Sequence, residues 1–242
     1  AGVDYTGTPT FTNGVTYDAM TGEITVPAGV TTFDVTFPGL GDLIDEADET
    51  YTVSAGGVNA TGTITDDDTA GVATITDATE VEGTDLTHTV TMTGASATDE
   101  TYPFLVTDVT ATAGVDYTGT PTFTNGVTYD AMTGEITVPA GVTTFDVTFP
   151  GLGDLIDEDN ETYTVSAGGV NATGTITDDD TAGVATITDA TEVEGTDLTH
   201  TVTMTGASAT DETYPFSVTD VTATAGVDYT GTPTFTNGVT YD

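Results

Sequence analysis

Polar and apolar residues alternate with a period of two along most of this chain. Leu86, His88, Val90 and Met92 are separated by threonines, and Tyr163 and Val165 keep the same rhythm in "ETYTVSA". That period puts one set of side chains on an inner face and the other in water, as in a half-buried β-strand. β-branched and aromatic residues fill these runs, and Gly, Pro, Asn and Asp punctuate them. The pattern predicts seven strands in one stretch: 71–77, 86–93, 102–109, 134–139, 143–150, 161–167 and 171–178. No segment has a helical period. Seven short strands in roughly 110 residues predict an Ig-like antiparallel β-sandwich.

The same pattern is written about twice. "AGVDYTGTPTFTNGVTYD" begins at residues 1, 113 and 225, so the chain repeats every 112 residues. Residues 1–112 and 113–224 differ only at Ala47/Asp159, Asp48/Asn160 and Leu105/Ser217. A period this long is a whole domain rather than one coil of a solenoid. It also argues against an ice-binding threonine array, since threonine is a good outward-facing strand residue in any sheet. The predicted fold is therefore all-β, with seven-stranded sandwich modules in tandem, joined end to end. Residues 70–181 form the complete module. Residues 1–69 supply the last four strands of the copy before it, and residues 182–242 the first three strands of the copy after it. A chain opening on "AGVDYTGT" reads as part of something longer.

Charge sharpens this picture. The 242 residues include 40 Asp and Glu, no Lys or Arg, and a formal charge of −40. Five of the eight residues from Asp154 to Glu161 are acidic, and Asp178, Asp179 and Asp180 are adjacent. Two carboxylates about 4 Å apart repel by roughly 1 kcal/mol even in bulk water. Scattered acids such as Glu23 and Asp34 are solvated, but no basic side chain exists to relieve the clusters. So acidic a surface excludes nucleic acid and anionic membranes as partners. The absence of Cys excludes disulfides and thiol chemistry. No apolar run reaches the length of a membrane span.

Loops in a succession of antiparallel strands alternate between the two ends of the sandwich. One end then collects the loop with Glu80 and Glu82, the loop opening on Asp116, and the loop holding Asp154, Asp157, Glu158, Asp159 and Glu161. The last strand ends there on Asp178–Asp180. The opposite end has Asp99, Glu100 and nearly uncharged turns. One acidic pole without cations predicts calcium, which accepts six to eight oxygens in loose geometry. Zinc would call for His or Cys, and this pole has neither.

With these elements placed, the module resembles the Calx-beta family. The resemblance is carried by "EVEG" (80–83), "TATAGVDY" (110–117), "GEITVPAG" (134–141), "DLIDEDNETYT" (154–164) and "ITDDD" (176–180). It implies several calcium ions per module, held by Glu82, Asp116, Asp154, Glu158, Glu161, Asp178, Asp179 and Asp180, with Asp157 in the same loop. Through the 112-residue period the expectation extends to Asp4, Asp42, Asp45, Glu46, Glu49, Asp66, Asp67, Asp68, Glu194 and Asp228. Near-identical, acidic, cysteine-free copies also resemble the extender repeats of type I secreted, RTX-type bacterial adhesins. That second resemblance implies an extracellular position on a bacterial surface. There the chain would serve as a calcium-stiffened spacer, with a further calcium ion at the joint beside Asp180. A calcium-sensing regulatory module is the alternative.

No catalytic role is predicted. Pairs such as Asp154/Glu158 suit a glycosidase acid and base, but their density favours metal ligation. His88 and His200 fall on the apolar strand face, away from the pole. Tyr117 and Phe123 read as packing residues. The expected partners are neighbouring repeats of the same chain, with no small-molecule substrate and no membrane insertion.

Overall fold

The computed structural model describes residues 4–241. Its first segment contains β1 (Thr10–Phe11), β2 (Thr16–Asp18), β3 (Glu23–Thr25), β4 (Val35–Thr36), β5 (Ile44–Asp45), β6 (Glu49–Ala55) and β7 (Val58–Ile64). The central segment opens with β8 (Val72–Ile75), β9 (Ala78–Val81), β10 (Leu86–Met92), β11 (Ala95–Ser96), β12 (Glu100–Asp108) and β13 (Thr122–Phe123). It continues through β14 (Thr128–Asp130), β15 (Glu135–Val138), β16 (Thr144–Phe149), β17 (Ile156–Asp157), β18 (Glu161–Ala167) and β19 (Val170–Thr177). β20 (Val184–Ile187), β21 (Val202–Met204) and β22 (Ala207–Ser208) follow. The described residues contain no helix long and apolar enough to cross a membrane.

Two sheets face each other in the central segment, in the orders β13-β16-β10-β8 and β14-β15-β12-β18-β19-β9. Their inner faces are the alternate residues picked out by the sequence. Leu86, His88, Val90 and Met92 of β10 are buried, as are Phe145, Val147 and Phe149 of β16. Across from them lie Tyr163, Val165 and Ala167 of β18, with Ile136 and Val138 of β15. Burial of this apolar surface is the main force holding the sheets together. Tyr117 is fully buried and stacks on Tyr163, with ring centroids 4.4 Å apart.

The strand predicted over 71–77 is β8 alone, and the stretch after it, read from sequence as the loop holding Glu80, forms a second strand, β9, in the other sheet. β8 pairs antiparallel with β10, whereas β9 pairs parallel with β19, Ala78 opposite Gly174. The sandwich therefore departs from a purely antiparallel succession at this one edge. The crossing point is held by side chains. Asp77 accepts a hydrogen bond from the Thr173 amide at 2.7 Å, and Thr76 Oγ1 accepts one from the Thr89 amide at 2.9 Å. The stretch 118–133, between the strands predicted at 102–109 and 134–139, adds β13 and β14 to the two sheets.

His88 sits at the centre of this core. A carbonyl only accepts, so Nδ1–H donates to Thr76 O at 2.7 Å and Nε2 accepts from the Tyr163 hydroxyl at 3.0 Å. Burial lowers the His88 pKa below its usual 6.5. The fold thus favours neutral imidazole, and its contribution is present above pH 6.5 and lost as pH falls through the lowered folded value. His88→Ala strands the Tyr163 hydroxyl and opens a cavity, so urea denaturation at neutral pH is expected to show a loss of about 3 kcal/mol. An unchanged midpoint would contradict this assignment.

Residues outside the central segment repeat its local pairings. Thr10 pairs with Thr36 as Thr122 does with Thr148, and Glu49 pairs with Ile64 as Glu161 does with Ile176. Val184 pairs with Met204 as Val72 does with Met92. The facing sheets that would bury these pairs are found only in residues 70–181, among the described residues.

Candidate metal centre

Four chain segments meet at one end of the sandwich: the turn after β9, the loop from β12 to β13, the loop from β16 to β18, and the residues that follow β19. The first and third approach closely because two glycines allow it. A Cβ on Gly151 would lie 2.2 Å from Thr84 O, and one on Gly153 would lie 3.1 Å from Gly83 N. This contact sets Glu82 beside Asp154. The second is tied to β12 by Asp108, which accepts hydrogen bonds from the Tyr117 hydroxyl and from the Ala113 amide at 3.3 Å. Asp116 closes it, its Oδ2 accepting from the Thr112 amide at 2.6 Å.

Two carboxylate groups result, Glu82–Asp178–Asp180 and Asp116–Glu158–Glu161, each offering ligand oxygens within 4.8 Å of one another. A third, Asp4–Glu46–Glu49, repeats the second in residues 4–69. Both complete groups of the central sandwich join residues far apart in sequence, as the loop argument required. The charges act across the groups. Glu82 is pushed up to about 7, first by burial and then by the carboxylate of Asp180 that it hydrogen-bonds, with Asp154 adding to it. Glu161 is also pushed up to about 7, by burial and by its hydrogen-bonded partner Asp116. Glu158 is raised by burial and by Asp154, Asp116 and Asp178. Asp154 thus lies within reach of both groups, although it belongs to neither.

Other predicted ligands are placed differently. Asp179 is exposed and outside both groups. Asp66, Asp67, Asp68 and Asp42 line one shallow acidic pocket with Asp4, Glu46 and Glu49. Glu194 and Asp228 are exposed, and Asp228 accepts from the Thr224 amide at 2.8 Å, as Asp116 does from Thr112. Asp157 turns towards the next segment. Its Oδ2 accepts from the Ala182 amide at 2.8 Å, and its carbonyl accepts from the Ala209 amide at 2.9 Å. Beside it, Ile156–Asp157 pairs in parallel with Ala207–Ser208. Asp45 does the same one period earlier, accepting from Ala70 and Ala97 at 2.9 Å, with Ile44–Asp45 paired to Ala95–Ser96.

Sequence reasoning missed this docking role and the clamp made by Asp108. The clamp had a readable signal: "AGVDY" must turn sharply, and a carboxylate just before it is a ready acceptor for its free amides. Of the three differences between copies, two are accounted for by the structure. Asp48 and Asn160 each accept from the amide 18 residues on, Asp66 at 3.0 Å and Asp178 at 3.1 Å, so the exchange keeps the acceptor. Leu105 is exposed, which makes Ser217 an unconstrained exchange. Nothing in the structure explains Ala47 against Asp159.

No family model matches the chain, and no curated protein matches it. Among solved structures it is similar to the apo form of the Calx CBD1 domain, at 22% identity and a TM-score of 0.34, covering 44% of this chain and 99% of that one. It is similar to the calcium binding domain CBD12 of CALX1.1, at 22% identity and a TM-score of 0.36, and to CBD12 from CALX1.2, at 22% and 0.35. The chain spans about half the length of the latter two, 48% and 50%.

Proposed function

We propose that the acidic pole binds calcium and that calcium stiffens the chain as a spacer. The donor set supports the metal. Each group is made only of carboxylates, with no His or Cys, which suits a hard cation with flexible oxygen coordination. Glu82, Asp178 and Asp180 would hold one ion, and Asp116, Glu158 and Glu161 another, with Asp154 between them. The bound metal supplies positive charge where the chain has none. Several ions per repeat, including one near the linker at Asp180, belong to the same reading.

The observation that carries the spacer reading is the position of Ile156–Asp157 between Asp154 and Glu158. The residues that dock onto the following segment are flanked by residues of the acidic pole. Mutual repulsion in the metal-free pole would displace this loop, and a bound cation would fix it. In this reading the chain is a non-enzymatic extender of a secreted bacterial surface protein, and its partners are neighbouring repeats. A regulatory calcium module would use the same coupling to signal a partner. The two are separated by affinity, because extracellular modules bind calcium at about 10⁻⁴–10⁻³ M and sensors at about 10⁻⁷–10⁻⁵ M.

The test is small-angle scattering of the dilute chain against free calcium. The radius of gyration is expected to rise to a plateau over the millimolar decade that the spacer reading requires. Saturation at micromolar calcium would favour the sensor. An unchanged radius, with the central sandwich folded throughout, would remove the mechanical reading.

A further inference from the structure

Asp108 ends β12 where the chain enters the loop to β13, and it belongs to neither metal group of the central sandwich. We propose that Asp108, acting through Tyr117, is a positioning residue for the Asp116–Glu158–Glu161 group, holding its loop ready before a cation arrives and so setting how tightly that cation is held. The proposal rests on the calcium reading above and adds to it a determinant of affinity that is not itself a ligand.

The loop leaves β12, turns, and comes back at Tyr117, whose place is fixed from three sides. The ring is fully buried, stacked 4.4 Å from Tyr163 and edge-on to Phe149 at 5.8 Å. The backbone forms an antiparallel bridge with Gly151. The hydroxyl donates to Asp108 Oδ1, and both oxygens of that carboxylate share the Ala113 amide at 3.3 Å. Asp108 therefore grips the outgoing and the returning arm of the loop at once. Asp116 is covalently next to Tyr117 and follows wherever that residue is held.

Inside this closed loop Asp116 is the one buried member of its metal group. Its Oδ2 accepts from the Thr112 amide at 2.6 Å, and its carbonyl accepts from the Leu152 amide at 2.9 Å. The outgoing arm also reaches the strand that carries Glu161. The Thr110 and Ala111 amides each donate to Thr162 O at 2.9 Å, one residue beyond that ligand. Two of the three members are thus placed by the loop that Asp108 closes.

Such a tie is needed because the empty group repels itself. Glu158 and Glu161 press on Asp116, and the chain has no Lys or Arg to relieve them. Without the tie Asp116 would swing outwards, and a cation would have to order the loop as it bound. With it, folding has already done the ordering, and less of the binding free energy is lost to it. The device recurs one period on. Asp220 accepts from the Tyr229 hydroxyl and from the Ala225 amide at 3.3 Å, beside the bond from Thr224 to Asp228.

Isothermal calorimetry of calcium binding to the full chain tests this, with melting in EDTA as the control for folding. Asp108→Ala is expected to weaken one ion by about ten-fold or more, the usual effect of losing a group that orients a ligand, while the number of ions stays the same. Asp108→Asn keeps Oδ1 as an acceptor for both Tyr117 and Ala113, so it should restore most of that affinity although the charge is gone. Tyr117→Phe keeps the stacked ring and loses the hydroxyl, and should fall between them. In a Glu161→Ala background, where the group is already broken, Asp108→Ala should weaken calcium no further. Unchanged affinity in Asp108→Ala, whatever its melting in EDTA, would overturn the proposal. Equal losses in Asp108→Ala and Asp108→Asn would overturn it too, because the charge of Asp108 and not its grip would then be what calcium feels. If Asp108→Ala does not fold in EDTA, Tyr117→Phe carries the test, and unchanged affinity there overturns the proposal equally. A parent chain that takes up no calcium would instead overturn the calcium reading itself.

Discussion

Saturating calcium is expected to raise the melting temperature of the central sandwich by roughly 20 °C. Each independent site stabilises the fold by about 2.7 kcal/mol at a hundred times its dissociation constant, and in a sandwich of this size each kcal/mol moves the midpoint by about 4 °C. The effect should depend on pH with a definite sign. In metal-free protein Glu82 and Glu161 are raised from 4.5 to about 7, so the folded pole holds protons more tightly than the unfolded chain does. Their contribution is present below pH 4.5 and is lost as pH rises through about 7. Calcium would bind the deprotonated carboxylates, so its gain should be larger at pH 8 than at pH 5. Glu161→Ala should remove about half of the calcium-induced shift. Asp146→Ala, which affects a strand-face residue bonded to Thr89 rather than the pole, should leave the shift intact. Scanning calorimetry in calcium and in EDTA measures all three. A midpoint indifferent to EDTA would refute the metal assignment.

What the sequence made legible follows from how strongly a period constrains a chain. Alternation along 86–93 admits only one inward face, so Leu86, Val90 and Met92 were identifiable as core before any pairing was known. The convergence of Glu82, Asp116, Glu158, Glu161, Asp178 and Asp180 was legible because alternating strand directions fix which loops share an end. The break at Thr76–Asp77 was not. Residues 78–81 fell in a predicted loop, and only their pairing with β19 and the partners of Asp77 and Thr76, Thr173 and Thr89, reveal the crossing. Nor could composition separate Asp157 from its acidic neighbours. Its different role comes from the direction its side chain takes at a docked strand, which depends on a segment 25 residues further on.

That separation yields the second large effect, at the joint. Asp157→Ala together with Asp45→Ala should convert the calcium-loaded chain from extended to bending, without lowering its calcium-induced gain in melting temperature. Each carboxylate accepts one amide of the linker, Ala182 at 2.8 Å and Ala70 at 2.9 Å, and a hydrogen bond to a charged group contributes about 2 kcal/mol. That is roughly a 30-fold preference for the docked joint, held otherwise by a parallel pairing of only two residues at each junction. Without the carboxylate, docked and undocked joints become comparable in population. The metal groups lose no member, since neither Asp157 nor Asp45 belongs to one. Scattering in saturating calcium should therefore show the variant's radius of gyration near that of the EDTA-treated parent, while calorimetry shows the parent's calcium shift. If the variant keeps the parent's radius, the carboxylate does not hold the joint. If the radius and the calcium shift are lost together, Asp157 and Asp45 are metal ligands after all, and the loop transmits calcium binding through coordination rather than through a docked strand.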